Sequence, residues 1–337
     1  MIAEVGVNHN GQPRLAHELV DIAAASGADA VKFQSFTPAL LASKGAPRAE
    51  YQRSGEADDS QLEMLTRLAL DEATHVELKA HADDAGITFL SSAFDEESVA
   101  MLDRLGIPAF KVPSGEVTNH GLLRRLAETG KPILMSTGMC TFEDIDAAVT
   151  QLAAVRDRLA LFHCVSSYPA EPRDCNLRVM DAMRSRYAVP IGWSDHTEGI
   201  AISTAAVALG ANMIEKHITL SRDLPGPDHA ASIEPPELRA MISAIRSVEA
   251  ALGEPTKRPA QAELETAAVA RKSLHWRRSL APGERIVSGD LIALRPGTGI
   301  PPDRLQDLVG RIVRVATIEG TLARMEEIAP GEAEGLR

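Results

Sequence analysis

Two short apolar runs in this chain end in groups able to do chemistry: Ile191-Gly-Trp-Ser-Asp-His-Thr-Glu198 and, about twenty residues on, Met213-Ile-Glu-Lys-His-Ile-Thr219. If each run is a buried parallel strand, the two deliver His196 and His217 side by side, with the carboxylates of Asp195 and Glu215 close by. Neutral imidazoles on neighbouring strand ends suit a divalent metal with open coordination positions. Two histidines without an HxH or HExxH spacing are equally compatible with ordinary hydrogen-bonded residues. A second set is formed by lysines in the middle of apolar runs, Val31-Lys-Phe33 and Phe110-Lys-Val112. A buried unpaired ammonium is costly, so each needs an anion or must lose its proton. One such lysine reads as a structural ion pair. Two of them, Lys32 and Lys111, with hydroxyls at other run ends, read as a cage for a compact dianion carrying phosphate and carboxylate.

The elements that must position these groups repeat one theme: a short apolar run, a polar or glycine-containing loop, then an amphipathic stretch. Strands are predicted at Ile2–Val5, Ala30–Gln34, Thr88–Ser92, Ala109–Pro113, Ile133–Ser136, Leu159–Val165, Ile191–Ser194 and Met213–His217. Helices are predicted between them, such as Pro13–Ser26, with proline at its start and Gly27 just past its end, and Phe142–Val155, with Glu143 and Asp144 in its first turn. Eight alternations over about 250 residues fit a (β/α)8 TIM barrel better than an open doubly wound sheet, and no GxGxxG follows a strand. A barrel gathers its chemistry at the C-terminal strand ends. Those ends carry Glu4, Lys32 with Gln34, Ser91 with Ser92, Lys111 with Ser114 and Glu116, Ser136 with Thr137, Ser166 with Tyr168, Ser194 with His196, and Lys216 with His217. The barrel is assigned to residues 1–252. A linker follows over 253–271, whose second half is charged and helix-prone. From Lys272, short β-like runs broken by Pro282-Gly-Glu284, Ser288-Gly-Asp290, Pro296-Gly-Thr-Gly299 and Glu319-Gly320 predict a small β-rich domain over 272–337.

Composition bounds these readings. The chain has 337 residues, 45% of them hydrophobic, enough for one large core and one small one. Lys+Arg 35 against Asp+Glu 47 leaves a net charge of −12, which disfavours nucleic acid and anionic membrane surfaces as partners. Cys140, Cys164 and Cys175 lack metal-finger spacing and point to reduced thiols in a cytoplasmic protein. Neither a signal peptide nor a run long enough to span a bilayer is expected. His9, His17, His75, His81 and His120 read as solvated or capping residues, and Asp58-Asp59 as a solvated loop.

Taken together, Ile2-Ala-Glu-Val-Gly-Val-Asn-His-Asn-Gly11, Gly27-Ala-Asp-Ala-Val-Lys-Phe-Gln34, Lys111-Val-Pro-Ser-Gly-Glu116, Met135-Ser-Thr-Gly-Met139, Trp193-Ser-Asp-His-Thr197, Glu215-Lys-His-Ile-Thr219 and Gly226-Pro-Asp-His229 resemble the sialic acid synthase family. Its members condense phosphoenolpyruvate with an N-acetylmannosamine-type sugar. The matches run in order from the first residues to the carboxyl terminus. The resemblance implies a transferase of the N-acetylneuraminate synthase type, a TIM barrel closed by a β-clip antifreeze-like (SAF) domain, and a homodimer in which that domain is swapped. It implies that His196 and His217 hold Mn2+ or Mg2+ as a Lewis acid on the sugar aldehyde, and that Lys32, Ser92, Lys111, Ser114, Ser136 and Ser194 hold phosphoenolpyruvate. Glu4 is implied as general base or water-positioning carboxylate. Gln34, Glu116, Ser166, Tyr168 and Asp228 are implied on the sugar, with Arg295, before a Pro-Gly turn, reaching the sugar of the partner subunit.

The products would be a nine-carbon 2-keto sugar acid and phosphate released by C–O cleavage. The chain departs from the family pattern in Ser166, where some members carry Asn, in Ser91-Ser92-Ala93, where Thr-Pro is common, and in a leader shorter than most relatives show. The sugar stays open between N-acetylmannosamine and a diacetamido-trideoxy hexose of the legionaminic type; Gly226-Pro-Asp-His229 fits the pseudaminic type less well. His229 reads either as a sugar contact or as a plain loop residue. Two rival classes remain: a Schiff-base aldolase using Lys111 or Lys216, and a sugar- or ice-binding protein built on the carboxy-terminal domain.

Overall fold

In the computed structural model the apolar runs become eight parallel strands closed on themselves: β1 (Ile2–Gly6), β2 (Ala30–Ser35), β3 (Thr88–Ala93), β4 (Phe110–Val112), β5 (Ile133–Ser136), β6 (Leu159–Cys164), β7 (Ile191–Asp195) and β8 (Ile214–His217). β8 pairs with β1, so the sheet has no free edge. Strands covered on both faces have no need of alternating polarity, which is why they appear in the sequence as continuous apolar runs. The predicted strands agree with these bounds to within one or two residues. The structure describes residues 1–49, 52 and 60–330, and the predicted Asp58-Asp59 loop lies outside them.

The outer helices begin on side chains suited to capping. Asp71 accepts from the Thr74 amide at 2.8 Å, Asp95 accepts from the Ser98 amide at 2.8 Å, and Thr141 and Asp144 form a reciprocal box. Gly106 ends helix Glu96–Leu105 in the left-handed region at φ 75°. One prediction fails here. The helix begun at Phe142 stops at Gln151, Val155 leaves the helical region at φ −122°, and a 3-10 turn spans Ala153–Arg158. Leu152 and Val155 are both buried, and the turn brings both into the core before β6 begins.

Inside the barrel the side chains stack in two layers. The lower is an apolar plug of Ile2, Ala30, Leu90 and Phe162. A Cβ at Gly192 would stand 2.7 Å from the Phe162 ring, so glycine there makes room for a fully buried phenyl group, whose burial contributes about 2–3 kcal/mol. Above the plug the strand register sets Glu4 beside Lys32 and His217, Ser92 beside Gln34 and Lys111, and Ser194 beside Glu215. With the floor sealed, these charged groups face each other and the barrel mouth.

The chain divides into two compact units, Met1–Gly253 and Glu254–Arg337. The second contains helix Gln261–Ala270 and an antiparallel pair, β9 (Ser273–Trp276) and β10 (Leu291–Leu294), with isolated bridges such as Val313–Ile328. Its core gathers Leu274, Trp276, Ile286 and Leu308. Its strands are short because a turn interrupts the chain every few residues. The stretch expected as linker is partly ordered within this unit: Arg295 Nε donates to the Ala270 carbonyl at 2.9 Å and the Gly297 amide to that of Ala268 at 2.7 Å. Among the described residues no helix is long and apolar enough to cross a membrane.

Candidate active site

The upper layer is a closed set of charges. Lys32 Nζ lies 2.7 Å from Glu4 Oε2 and 3.8 Å from Glu215 Oε2, and it donates to Ser92 Oγ at 2.8 Å. Lys111 Nζ lies 3.3 Å from Glu215 Oε1, donates to Ser136 Oγ at 2.6 Å, and sits 5.4 Å above the Phe162 ring. Ser194 Oγ donates to Glu215 Oε1 at 3.0 Å, and Gln34 Nε2 to Glu4 Oε1 at 3.1 Å. Two ammoniums therefore balance two carboxylates, all at 5% exposure or less. Burial pushes the Glu4 carboxyl up to about 7, against the pull of Lys32. At Glu215 burial acts the same way but is outweighed by Lys111 and Lys32, which hold it at about 2. Burial lowers Lys111 despite Glu215 beside it, whereas at Lys32 the two carboxylates outweigh burial and raise it. Of the residues predicted on phosphoenolpyruvate, Lys32, Ser92, Lys111, Ser136 and Ser194 thus meet in one layer.

Ser114 sits higher, accepting from the Gly138 amide at 2.8 Å and contacting Cys164 Sγ at 3.2 Å.

At the mouth, His196 and His217 lie with ring centroids 5.6 Å apart, and the Tyr168 ring lies 4.2 Å from that of His196, tilted by 42°. His196 Nδ1 is 2.7 Å from the Val165 carbonyl, a contact that assigns its proton there and leaves Nε2 with a free lone pair. His217 Nδ1 is buried without a hydrogen-bond partner, with Asp228 Oδ2 3.9 Å away. Burial depresses both imidazoles below their ordinary value, so both are neutral at pH 7, the ligating form. Burial also pushes Asp228 up to about 6. Among the described residues no three His, Cys, Asp or Glu side chains group as a metal site. The donor set is the histidine pair, and an orphaned buried nitrogen beside a second free one fits a divalent ion that keeps open positions.

The carboxylates expected next to the histidines each have another partner: Glu215 shares the inward face of β8 with His217 two residues on but points to the lysines, and Asp195 takes the outer face of β7, because successive residues of a strand face opposite ways. Asp195 turns outward to Lys216 at 3.0 Å and accepts from the Thr197 amide, the Thr197 hydroxyl and the Ser203 hydroxyl. Lys216 also donates to the Thr197 carbonyl at 2.6 Å; held by Asp195 on the outer face of the strand, away from the mouth, it is removed as a Schiff-base candidate.

A cavity of about 420 Å³ opens above these groups. It is lined by Gln34, Ser114, Ser166, Tyr168, His217 and Asp228 from the strand ends and their loops, and by Gln61, Met64, Leu65 and Leu68 of helix Gln61–Leu68. Four of the predicted sugar residues therefore line one cavity. Glu116 instead turns to Asn119, whose side-chain amide donates to it at 2.8 Å. Arg295 belongs to the second unit. A Cβ at Gly138 would stand 2.2 Å from Ser166 Oγ, so this loop closes tightly on the serine.

Two histidines correct the sequence reading, and a third, His229, takes the loop role that was one of its two alternatives. His9 and His75, expected in solvent or as caps, are each 1% exposed; His9 Nδ1 accepts from the Gly11 amide, and His75 Nε2 contacts Ser35 Oγ at 2.8 Å. His229 is fully buried between Thr219 Oγ1 at 2.7 Å and Asn10 Oδ1 at 3.2 Å, where it ties loops together. Sequence reasoning also missed Glu215 as the bridge between the lysines and helix Gln61–Leu68 as a cavity wall. The Ser60–Glu63 capping box was the available signal for the helix.

A sealed layer of paired lysines and carboxylates beneath two neutral histidines, at the C-terminal mouth of a (β/α)8 barrel, is the build of a barrel enzyme. Residues 19–257 match the NeuB family and residues 271–329 the SAF domain. The chain belongs to the NeuB family, the sialic acid synthases, and carries their SAF domain. It is 43% identical to the N,N'-diacetyllegionaminic acid synthase of Legionella pneumophila, over 97% of this chain and 94% of that protein. It is also 43% identical to the N,N'-diacetyllegionaminic acid synthase of Campylobacter jejuni, over 96% and 98%. A crystal structure of the N-acetylneuraminic acid synthetase of Leptospira borgpetersenii in complex with citrate superposes with a TM-score of 0.70 at 33% identity, over 79% of this chain and 88% of that one.

Proposed function

We propose that this enzyme condenses phosphoenolpyruvate with an N-acetylated amino hexose and water, giving a nine-carbon 2-keto sugar acid and inorganic phosphate. The observation that carries the reading is the pair Lys32 and Lys111, sealed into one layer with three serine hydroxyls directly below His196 and His217. The two ammoniums and the hydroxyls of Ser92, Ser136 and Ser194 hold the phosphate and carboxylate, with Ser114 above them. Gln34, Ser166, Tyr168 and Asp228 orient the open-chain sugar so that its aldehyde meets carbon 3 of the enol. A divalent metal, Mn2+ or Mg2+, on His196 and His217 would supply Lewis acidity at the aldehyde oxygen. As the carbon–carbon bond forms, carbon 2 becomes electron-poor and water adds there. Glu4, with its carboxyl near 7, takes the proton that water loses. The sugar oxygen gains a proton, and the hemiketal phosphate collapses to the ketone as phosphate departs with the bridging oxygen.

The sugar is N-acetylmannosamine or a diacetamido-trideoxy hexose; the two relatives at 43% identity support the second. The reaction belongs in the cytoplasm, where phosphoenolpyruvate is made and free Cys140, Cys164 and Cys175 stay reduced. Arg295 acts from the SAF domain of a two-fold partner. When inactive Arg295→Ala and inactive His217→Ala are denatured and refolded together, about half the dimers are mixed and each has one intact site, so the mixture regains about a quarter of wild-type activity; no recovery after proven subunit exchange would put Arg295 on its own barrel. The reaction is tested by phosphate release with phosphoenolpyruvate labelled with 18O at the bridging position. The label should appear in phosphate, and only when an N-acetylated amino hexose is present. Release without sugar, or label left in the keto acid, would refute the reading.

A further inference from the structure

Helix Gln61–Leu68 brings an apolar stretch, Met64, Leu65 and Leu68, to the mouth cavity, and we infer that this stretch selects the sugar, with Met64 reading a methyl or acetamido methyl where a competing sugar carries a hydroxyl. The inference rests on the reading that this cavity receives an acetamido hexose. Met64, Leu65 and Leu68 line the cavity while keeping only 4%, 9% and 7% of their surface exposed, so they form a packed wall. They belong to a small core of their own with Val7, Phe36 and Ala42, apart from the main barrel core.

The helix is held in place at both ends. Ser60 and Glu63 cap its start, the Ser60 amide donating to Glu63 at 2.8 Å. At its far end the loop after β1 rests directly on it: a Cβ at Gly11, itself in the left-handed region at φ 71°, would stand 2.2 Å from the Arg67 carbonyl oxygen. The wall therefore cannot retreat to admit water or a larger polar group.

None of the three side chains can form a strong hydrogen bond, so a sugar hydroxyl directed at them loses its water and gains no partner. An apolar wall of this kind discriminates by about ten- to a hundredfold per misplaced hydroxyl. The same cavity offers Gln34, Ser166, Tyr168 and Asp228 from the strand-end loops and Gln61 at the start of the helix, so a sugar's polar groups have partners away from Met64, Leu65 and Leu68. Met139, next to Gly138 on the loop that packs against Ser166, adds a second apolar side chain at the rim: it lines the same cavity, is 74% exposed, and holds the left-handed conformation at φ 63°, uncommon for a residue with a Cβ.

The test is kcat/KM by phosphate release for two sugars, a 2,4-diacetamido-2,4,6-trideoxy hexose and N-acetylmannosamine, in the wild type, Met64→Gln and Met64→Leu. The wild type should favour the trideoxy sugar by at least about tenfold. Met64→Gln should cut that ratio about tenfold through the KM for sugar, with the KM for phosphoenolpyruvate unchanged, and Met64→Leu should keep the wild-type ratio. Met139→Gln, at an exposed position that leaves the core intact, should shift the ratio the same way and serves if Met64→Gln does not fold. Turnover with an unchanged ratio in the glutamine variants, or a wild type that prefers N-acetylmannosamine, would overturn the selective wall alone. Failure of both sugars to release phosphate would overturn the reading of the site and the wall with it.

Discussion

Glu215 and Lys216 are neighbours on β8, and each is a buried member of a lysine–carboxylate pair reaching across the strand ends. Glu215 faces the barrel axis between Lys111 and Lys32, under the cavity and the two histidines. Lys216 faces the helix layer against Asp195, with both side chains at 0% exposure. The inward set is shared among two lysines and two carboxylates, one of which burial holds near 7, so its charge can answer to a ligand. The outward pair has no such freedom. At Asp195 burial is outweighed by Lys216 and three hydroxyl and amide donors, which keep the carboxyl below its ordinary value. Under the proposed function, lysine–carboxylate pairs one position apart serve binding on one face and framework on the other, and the strand's period of two sorts them.

Two perturbations separate the faces, and a third probes the buried loops. The largest effect is expected at His217→Ala, which removes the imidazole proposed to hold the metal and little core volume: turnover should fall about a thousandfold or more with the melting temperature nearly unchanged. Activity that survives both this change and a chelator would break the inward half of the comparison. Lys216→Met should act the other way. It leaves Asp195 buried without its cation and should lower unfolding stability by about 3 kcal/mol, read from the urea midpoint. Adding Asp195→Asn should restore part of that loss.

The smallest effect concerns the buried loop histidines His9 and His229, both lowered to about 4 by burial. Between pH 6.5 and 4 the unfolded chain binds protons that the folded one refuses, so this stability is complete above pH 6.5 and is lost as pH falls toward 4. About 1 kcal/mol per histidine should be gone by pH 5.5, and His229→Asn should flatten that part of the curve. An unchanged slope would mean that His229 is reached by water.

The sequence was most legible where structure is local. Apolar runs of strand length, capping residues such as Asp71 and Asp95, and polar groups at run ends all state their roles within a few residues, and the barrel follows from them. What the sequence hid depends on partners far along the chain. Glu215 and Asp195 both looked like companions of the histidines, and only the β7–β8 register and the position of Lys111 separate them. His9 and His75 looked solvated until the loop after β1 and helix Glu72–Asp84 closed over them. Helix Gln61–Leu68 was hidden by its polar residues, Gln61, Glu63, Thr66 and Arg67, which mask an apolar face of Met64, Leu65 and Leu68.

Equilibrium binding of phosphoenolpyruvate to the wild type, Lys111→Met and Lys216→Met, each checked for native circular dichroism, tests the division of duties most directly. Both substitutions keep the aliphatic stem and delete one buried charge. If the inward layer is the anion cage, Lys111→Met should weaken binding by roughly thirtyfold or more, the loss expected when a buried charge loses its partner. Folded Lys216→Met should bind within about twofold of wild type. Equal weakening in the two variants, or none at Lys111→Met, would contradict the account.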